Sequence, residues 1–128
     1  MLLISDSHGH DMATILHEVQ PGCAVMVVQV GRNISAIRLM YSAKLRGILS
    51  FKPEVIVVHL GHNDIVAHPV HNPSPRHLKY FVPVLLDFCE TIQMDHPAAR
   101  LMISNLFPRT VGPRFTESMR KGYNRLAY

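Results

Sequence analysis

The sequence predicts an α/β protein built on a parallel, doubly wound sheet. Two observations carry that expectation: short continuous apolar runs alternate with stretches of helical periodicity, and each apolar run ends abruptly in a polar or glycine-containing turn. Strands buried on both faces read as unbroken apolar runs, because neither side of the pleat meets water.

Taken in order, Met1–Ile4 is a short apolar run cut off by Ser5-Asp6-Ser7-His8-Gly9, which reads as a first strand ending in a loop. From Asp11, the positions Met12, Ile15, Leu16 and Val19 recur at helical spacing, and Pro21-Gly22 closes the helix. The valine-rich run Ala24–Val30 reads as a second strand ending at Gly31. Ile34, Ile37, Tyr41, Leu45 and Ile48 then mark a helix over about Ser35–Leu49, with Pro53 at its exit.

Val55–Leu60 is a third apolar run, followed by Gly61-His62-Asn63-Asp64. Ile65–Arg76, with Pro69, Pro73 and Pro75, reads as a loop. Leu78, Val82, Leu85, Leu86, Cys89 and Ile92 line one face of a helix that is expected to begin, or to kink, near Pro83. Arg100–Ser104 reads as a fourth strand, Asn105–Pro113 as a loop and Phe115–Tyr128 as a helix. Right-handed crossovers would arrange the strands in the order 2-1-3-4 with helices on both faces, a three-layer α/β/α sandwich forming a single domain over residues 1–128.

The bulk composition narrows the classes. Hydrophobic residues make up 48% and charged residues 17%, a balance that excludes a disordered chain. Runs such as Ala24–Val28 are too short to span a bilayer. The start Met-Leu-Leu-Ile-Ser-Asp has neither the basic nor the long apolar part of a signal peptide, so an intracellular, cytoplasmic setting is expected. Cys23 and Cys89 each sit in an apolar segment and read as buried free thiols. The net charge of +4 is spread over Arg32–Arg46, Arg76–Lys79 and Arg109–Arg125, a weak pointer to a nucleic acid or other acidic partner without any recognition motif.

In a parallel sheet the turns after successive strands converge at one edge, which is where doubly wound folds bind ligands. Ser7, Gly31 and Asn63 fall there. Ser7 brings a hydroxyl and a backbone N–H, Gly31 a second N–H with room for close approach, and Asn63 a side-chain amide. Acyl transfer requires such a set: a nucleophile plus donors aimed at the oxyanion of the tetrahedral intermediate. Alone, each residue has a simpler reading, as a helix N-cap, a strand-ending turn and an Asx-turn.

Ser5-Asp6-Ser7 resembles the Gly-Asp-Ser block of SGNH (GDSL-type) hydrolases, Gly31 their second-block glycine and Gly61-His62-Asn63-Asp64 their Gly-x-Asn-Asp block, with the match running over essentially the whole chain. The resemblance implies a flavodoxin-like three-layer fold and a serine esterase acting on an acyl ester or other small molecule. Ser7 would be the nucleophile, Ser7, Gly31 and Asn63 the oxyanion hole, and no cofactor or metal would be required. Two departures stand out. Ser5 replaces the first-block glycine, and the family's Asp-x-x-His, which supplies the general base, occurs nowhere in the sequence. The expectation is therefore a domain incomplete at its C-terminal side and weak or inert by itself; strong Ser7-dependent turnover would instead point to an unrecognised base, for which His10 and His62 are the candidates. SGNH-like domains also occur inside larger proteins, including the first open-reading-frame proteins of some LINE retrotransposons, and the chain resembles such a copy.

Two rival readings follow from the same residues. A domain that keeps the fold without the chemistry would serve as an interaction module. Asp6-Ser7-His8 also resembles the Asp-x-His opening of metallophosphoesterases, in which Asp6 and His8 would ligate a metal. That family's middle Gly-Asp-x-x-Asp motif is missing, and His62 and Asn63 stand in exchanged order. His68, His71 and His77 lie in the Pro-rich segment without helical register and read as loop residues, while His59 reads as a core residue. The loops Ile65–His77 and Asn105–Arg114 are expected to shape the cleft.

Overall fold

A computed structural model describes residues 1–6, 9–31, 33–61 and 75–104. Its elements run β1 (Leu2–Ser5), α1 (Gly9–Val19), β2 (Met26–Gln29), α2 (Ile34–Phe51), β3 (Val55–His59), α3 (Pro75–Asp95) and β4 (Arg100–Ile103). The four strands form one parallel sheet in the order β2-β1-β3-β4, so the α/β class and the strand order follow the expectation. The expected C-terminal helix over Phe115–Tyr128 and the loops Ile65–His77 and Asn105–Arg114 lie largely outside the described residues, but Pro75, Arg76 and His77, expected in the first loop, belong to the α3 backbone.

One face of the sheet carries the core. Leu2 and Ile4 of β1, Val28 of β2 and Ile56 and Val58 of β3 alternate onto it and are almost completely buried. Against them pack Ile34, Ile37, Tyr41 and Ile48 of α2 and Phe81, Val82, Leu85, Phe88, Cys89 and Ile92 of α3. On the opposite face, Leu3 and Val57 line an apolar cavity of about 350 Å³ with Met1 and with Met12, Ile15 and Leu16 of α1. Two of α1's periodic positions, Ile15 and Val19, are exposed, so α1 buries a narrower stripe than its pattern suggests.

Local chemistry sets the helix ends. The Asn33 side chain accepts a hydrogen bond from the Ala36 N–H at 3.1 Å and caps α2, satisfying a donor the helix itself cannot pair. Lys52 closes α2 in the left-handed region (φ 52°), its N–H donating to the Ile48 carbonyl. Helix α3 begins at Pro75, well before Pro83, which corrects the expected start. A proline in the first helical position loses no hydrogen bond and arrives with a helical φ. Pro83 sits on the exposed side of the helix, where the carbonyl it leaves unpaired can turn to water. The buried face of α3 is also corrected: Leu86 is exposed, and Phe81 and Phe88 take interior positions.

Helices α2 and α3 are joined by a polar clamp inside the apolar layer. Tyr41, 2% exposed, donates its hydroxyl proton to Asp95 Oδ2 at 2.8 Å, and its oxygen then accepts from His96 Nε2 at 3.2 Å. The Tyr41 ring meets Phe88 edge-on at 5.4 Å. The surface pair Arg38–Asp87, at 3.2 Å, spans the same two helices but is too exposed to contribute much. Both cysteines are free as expected, although Cys23 is only partly buried.

This packing has measurable consequences in solution. Tyr41→Phe removes a charge-assisted bond and strands His96, and should lower the unfolding free energy by about 1.5–3 kcal/mol in urea titration. Burial pushes the Cys89 thiol up from 9.0 to about 11. Tyr41 is raised in the same direction, by burial first and then by the hydrogen bond and charge of Asp95. Both groups are neutral in the folded state and ionise more readily when unfolded. Their contribution is therefore complete below pH 9 and is lost as pH rises, for Cys89 between 9 and about 11. Stability measured across that window should fall, and Cys89→Ala should flatten the slope.

Candidate functional site

The parallel register determines what meets at the carboxyl edge of the sheet. Ser5 is level with Gln29 on one side and with His59 on the other. Val58 pairs with Ile103, and the Ser104 N–H donates to the Val58 carbonyl at 3.0 Å, so Ser104 continues the line beyond β4. The turns after β1, β2 and β3 therefore leave the sheet side by side. Gly31 stands two residues past β2 and Gly61 two residues past β3. Ser7 and Asn63 follow β1 and β3 in the sequence, but both lie outside the described residues, as do His8 and His62.

Gly61 adopts φ 121°, a conformation that residues with a Cβ avoid, so the glycine of Gly61-His62-Asn63-Asp64 has a backbone reason to be there. Gly31 is different. It is exposed, and a Cβ built on it would meet nothing within 4 Å among the described residues. Among the described residues, packing does not demand a glycine at 31.

The sheet edge also holds polar groups that the residue pattern does not single out. Gln29, Ser5 and His59 form a row across β2, β1 and β3 on the face opposite the main core, and Ser104, just past β4, extends it through its hydrogen bond to His59. The row directly beneath it on that face, Val27, Leu3, Val57 and Met102, is entirely apolar. Ser5 and His59 are completely buried, and His59 Nδ1 shares a hydrogen bond of 2.5 Å with Ser104 Oγ. His59 is thus a bonded interior residue, as expected, but its partner lies 45 positions away and only the strand register brings the two together.

Asp6 follows Ser5 and is 1% exposed. Among the described residues, neither of its carboxylate oxygens has a hydrogen-bond partner, nor does the Ser5 hydroxyl. Buried polar groups are nearly always paired, and each one left unpaired calls for an explanation such as strain, catalysis or a bound ion. Among the described residues, no three His, Cys, Asp or Glu side chains cluster as a metal site would require. No described helix is long and apolar enough to cross a membrane.

Comparison of the sequence with protein-family models and with curated proteins finds no match to either. The functional reading therefore stands on the residues and on the sheet edge that collects them.

Asp6 provides a direct test of how the edge is tuned. A buried carboxyl group without a partner costs a fold about 1–3 kcal/mol, and Asp6 has none among the described residues, so Asp6→Asn should raise the melting temperature. A lower melting temperature would mean that the charge is held by a partner the fold needs.

Proposed function

We propose that the chain is an SGNH-type serine acyl hydrolase domain, with the three-layer arrangement of that family, in which Ser7 attacks an ester carbonyl. The observation that carries this reading is the level register of β1 with β2 and β3, which brings the turns that follow these strands to one edge in the family's order. In the sequence, Ser5-Asp6-Ser7 ends and follows β1, Gly31 follows β2 and Gly61-His62-Asn63-Asp64 follows β3. The positive φ of Gly61, and a Gly31 that no described residue crowds, fit a loop that must turn sharply and a backbone that must approach a ligand.

In this reading the Ser7 oxygen forms the acyl bond, and the Ser7 and Gly31 N–H groups and the Asn63 amide hold the oxyanion. A base is needed to take the Ser7 proton. No Asp-x-x-His occurs in the 128 residues, so the acceleration available to them is what donors and binding supply, a small part of a full triad's.

A second reading, a phosphoesterase binding metal through Asp6 and His8, draws on the two buried oxygens of Asp6, which have no partner among the described residues. The exchanged order of His62 and Asn63 and the missing middle motif weigh against it.

The test is hydrolysis of a short-chain nitrophenyl ester. The 128-residue chain should turn over feebly, with Ser7→Ala changing little. A chain continued through an Asp-x-x-His segment should lose most of its activity on Ser7→Ala and about 10²–10³ in kcat on Asn63→Ala. Hydrolysis that survives Ser7→Ala in the extended chain and vanishes with a chelator would replace this reading with the metal-dependent one. A folded extended chain with no hydrolysis at all would leave an interaction module.

A further inference from the structure

We infer that Ser104 and His59 form a nucleophile–base pair in their own right, a second reactive serine that takes activated acyl or phosphonyl groups at the same sheet edge. This goes beyond the Ser7 reading and does not depend on it.

The geometry is the one such chemistry requires. A serine nucleophile must share a hydrogen bond with a base that can receive its proton, and the imidazole Nδ1 of His59 lies 2.5 Å from Ser104 Oγ. His59 is completely buried, its position in the sheet lying between Ser5 and Ser104, whereas Ser104 is partly exposed. The base is shielded and the nucleophile can be reached.

A purely structural role accounts poorly for the pair's position. Directly beneath it on the same two strands, the sheet uses Val57 and Met102, an apolar pair that brings no polar group to satisfy. Arg100 of β4 is the exposed polar residue at the other end of this face, level with Val55; towards the carboxyl edge, where parallel sheets place their ligand crevice, buried polar side chains appear only in the last row. Three strands switch there together, from Val27, Leu3 and Val57 to Gln29, Ser5 and His59, and Ser104 follows Met102 in the same way just past β4.

With an ester, Ser104 Oγ bonds to the acyl carbon while its proton passes to His59 Nδ1. The acyl–alkoxy bond breaks, and the leaving alcohol takes the proton from His59. Water then attacks the acyl-serine, giving one proton to His59, which returns it to the Ser104 oxygen as the acid is released. With a fluorophosphonate the Oγ–P bond forms, fluoride leaves with the serine proton, and the adduct persists.

The experiment treats the folded 128-residue chain with a small alkyl fluorophosphonate and locates the adduct by peptide mass spectrometry. The expected result is an adduct on Ser104 that is absent in Ser104→Ala and persists in Ser7→Ala. It should form about 10²-fold or more slowly in His59→Asn, which keeps an acceptor near Nδ1 but no base. Far-ultraviolet circular dichroism establishes that each variant is folded. Should His59→Asn fail to fold, Ser104→Cys decides. A base beside it should make the introduced thiol react with iodoacetamide well ahead of the partly buried Cys23 in the same molecule. No adduct at Ser104, an adduct formed equally fast in folded His59→Asn, or an introduced thiol no faster than Cys23 would overturn the proposal. An adduct on Ser7 alone would overturn it while leaving the Ser7 reading intact, so the two fail separately.

Discussion

The parallel pairing of β1 with both of its neighbours is the constraint on which the rest of the molecule depends. Ser5 level with Gln29 and with His59 means that Leu2, Ile4, Val28, Ile56 and Val58 share one face, and that the three following turns leave from one edge. A slip of one residue in either ladder would turn the buried row of β2 or β3 away from α2 and α3 and disturb the line of Ser5, His59 and Ser104. Core and candidate site are thus specified by the same hydrogen bonds, and neither can be altered without the other.

Apolar packing and buried polar groups are divided between the two faces and along the strands. The face under α2 and α3 is filled by large side chains at close to zero exposure, and the polar cluster set into it, Tyr41 with Asp95 and His96, is bonded. The carboxyl edge is built otherwise. Asp6 and the Ser5 hydroxyl are buried without partners among the described residues, and a histidine and a serine replace the apolar pair of the row beneath. Buried polar groups of this kind oppose folding, so they are retained at a cost that the apolar layer offsets. Gathering that cost at one edge of the sheet, apart from the apolar layer, is the pattern that the proposed site calls for.

Much of the frame is legible in the residues because it rests on local signals. Val55–Leu60 is an apolar run bounded by Pro53 and Gly61, and β3 lies inside it; Ile34, Ile37, Tyr41 and Ile48 have helical spacing, and all four are buried on α2. Sequence and structure part where a local rule meets a tertiary one. Pro83 suggests a helix start, but α3 tolerates it on an exposed side, and the choice between Leu86 and Phe88 for the interior turns on where the sheet lies. The His59–Ser104 pair cannot be read without knowing that β3 and β4 are adjacent and in which register, since neither residue belongs to a local motif. Gly61 stands out as part of a motif, whereas its physical reason, a positive φ, belongs to the backbone alone.

The proposed reactive-serine chemistry at the carboxyl edge of this sheet is tested most directly by determining a crystal structure of the chain after reaction with a small phosphonate. Phosphorus should be bonded to a serine oxygen at that edge. For the Ser7 reading, the phosphonyl oxygen should lie about 2.7–3.1 Å from the Gly31 backbone nitrogen and the Asn63 amide. Phosphonate bound only elsewhere on the molecule, or Ser7 and Asn63 at opposite ends of the sheet, would contradict it.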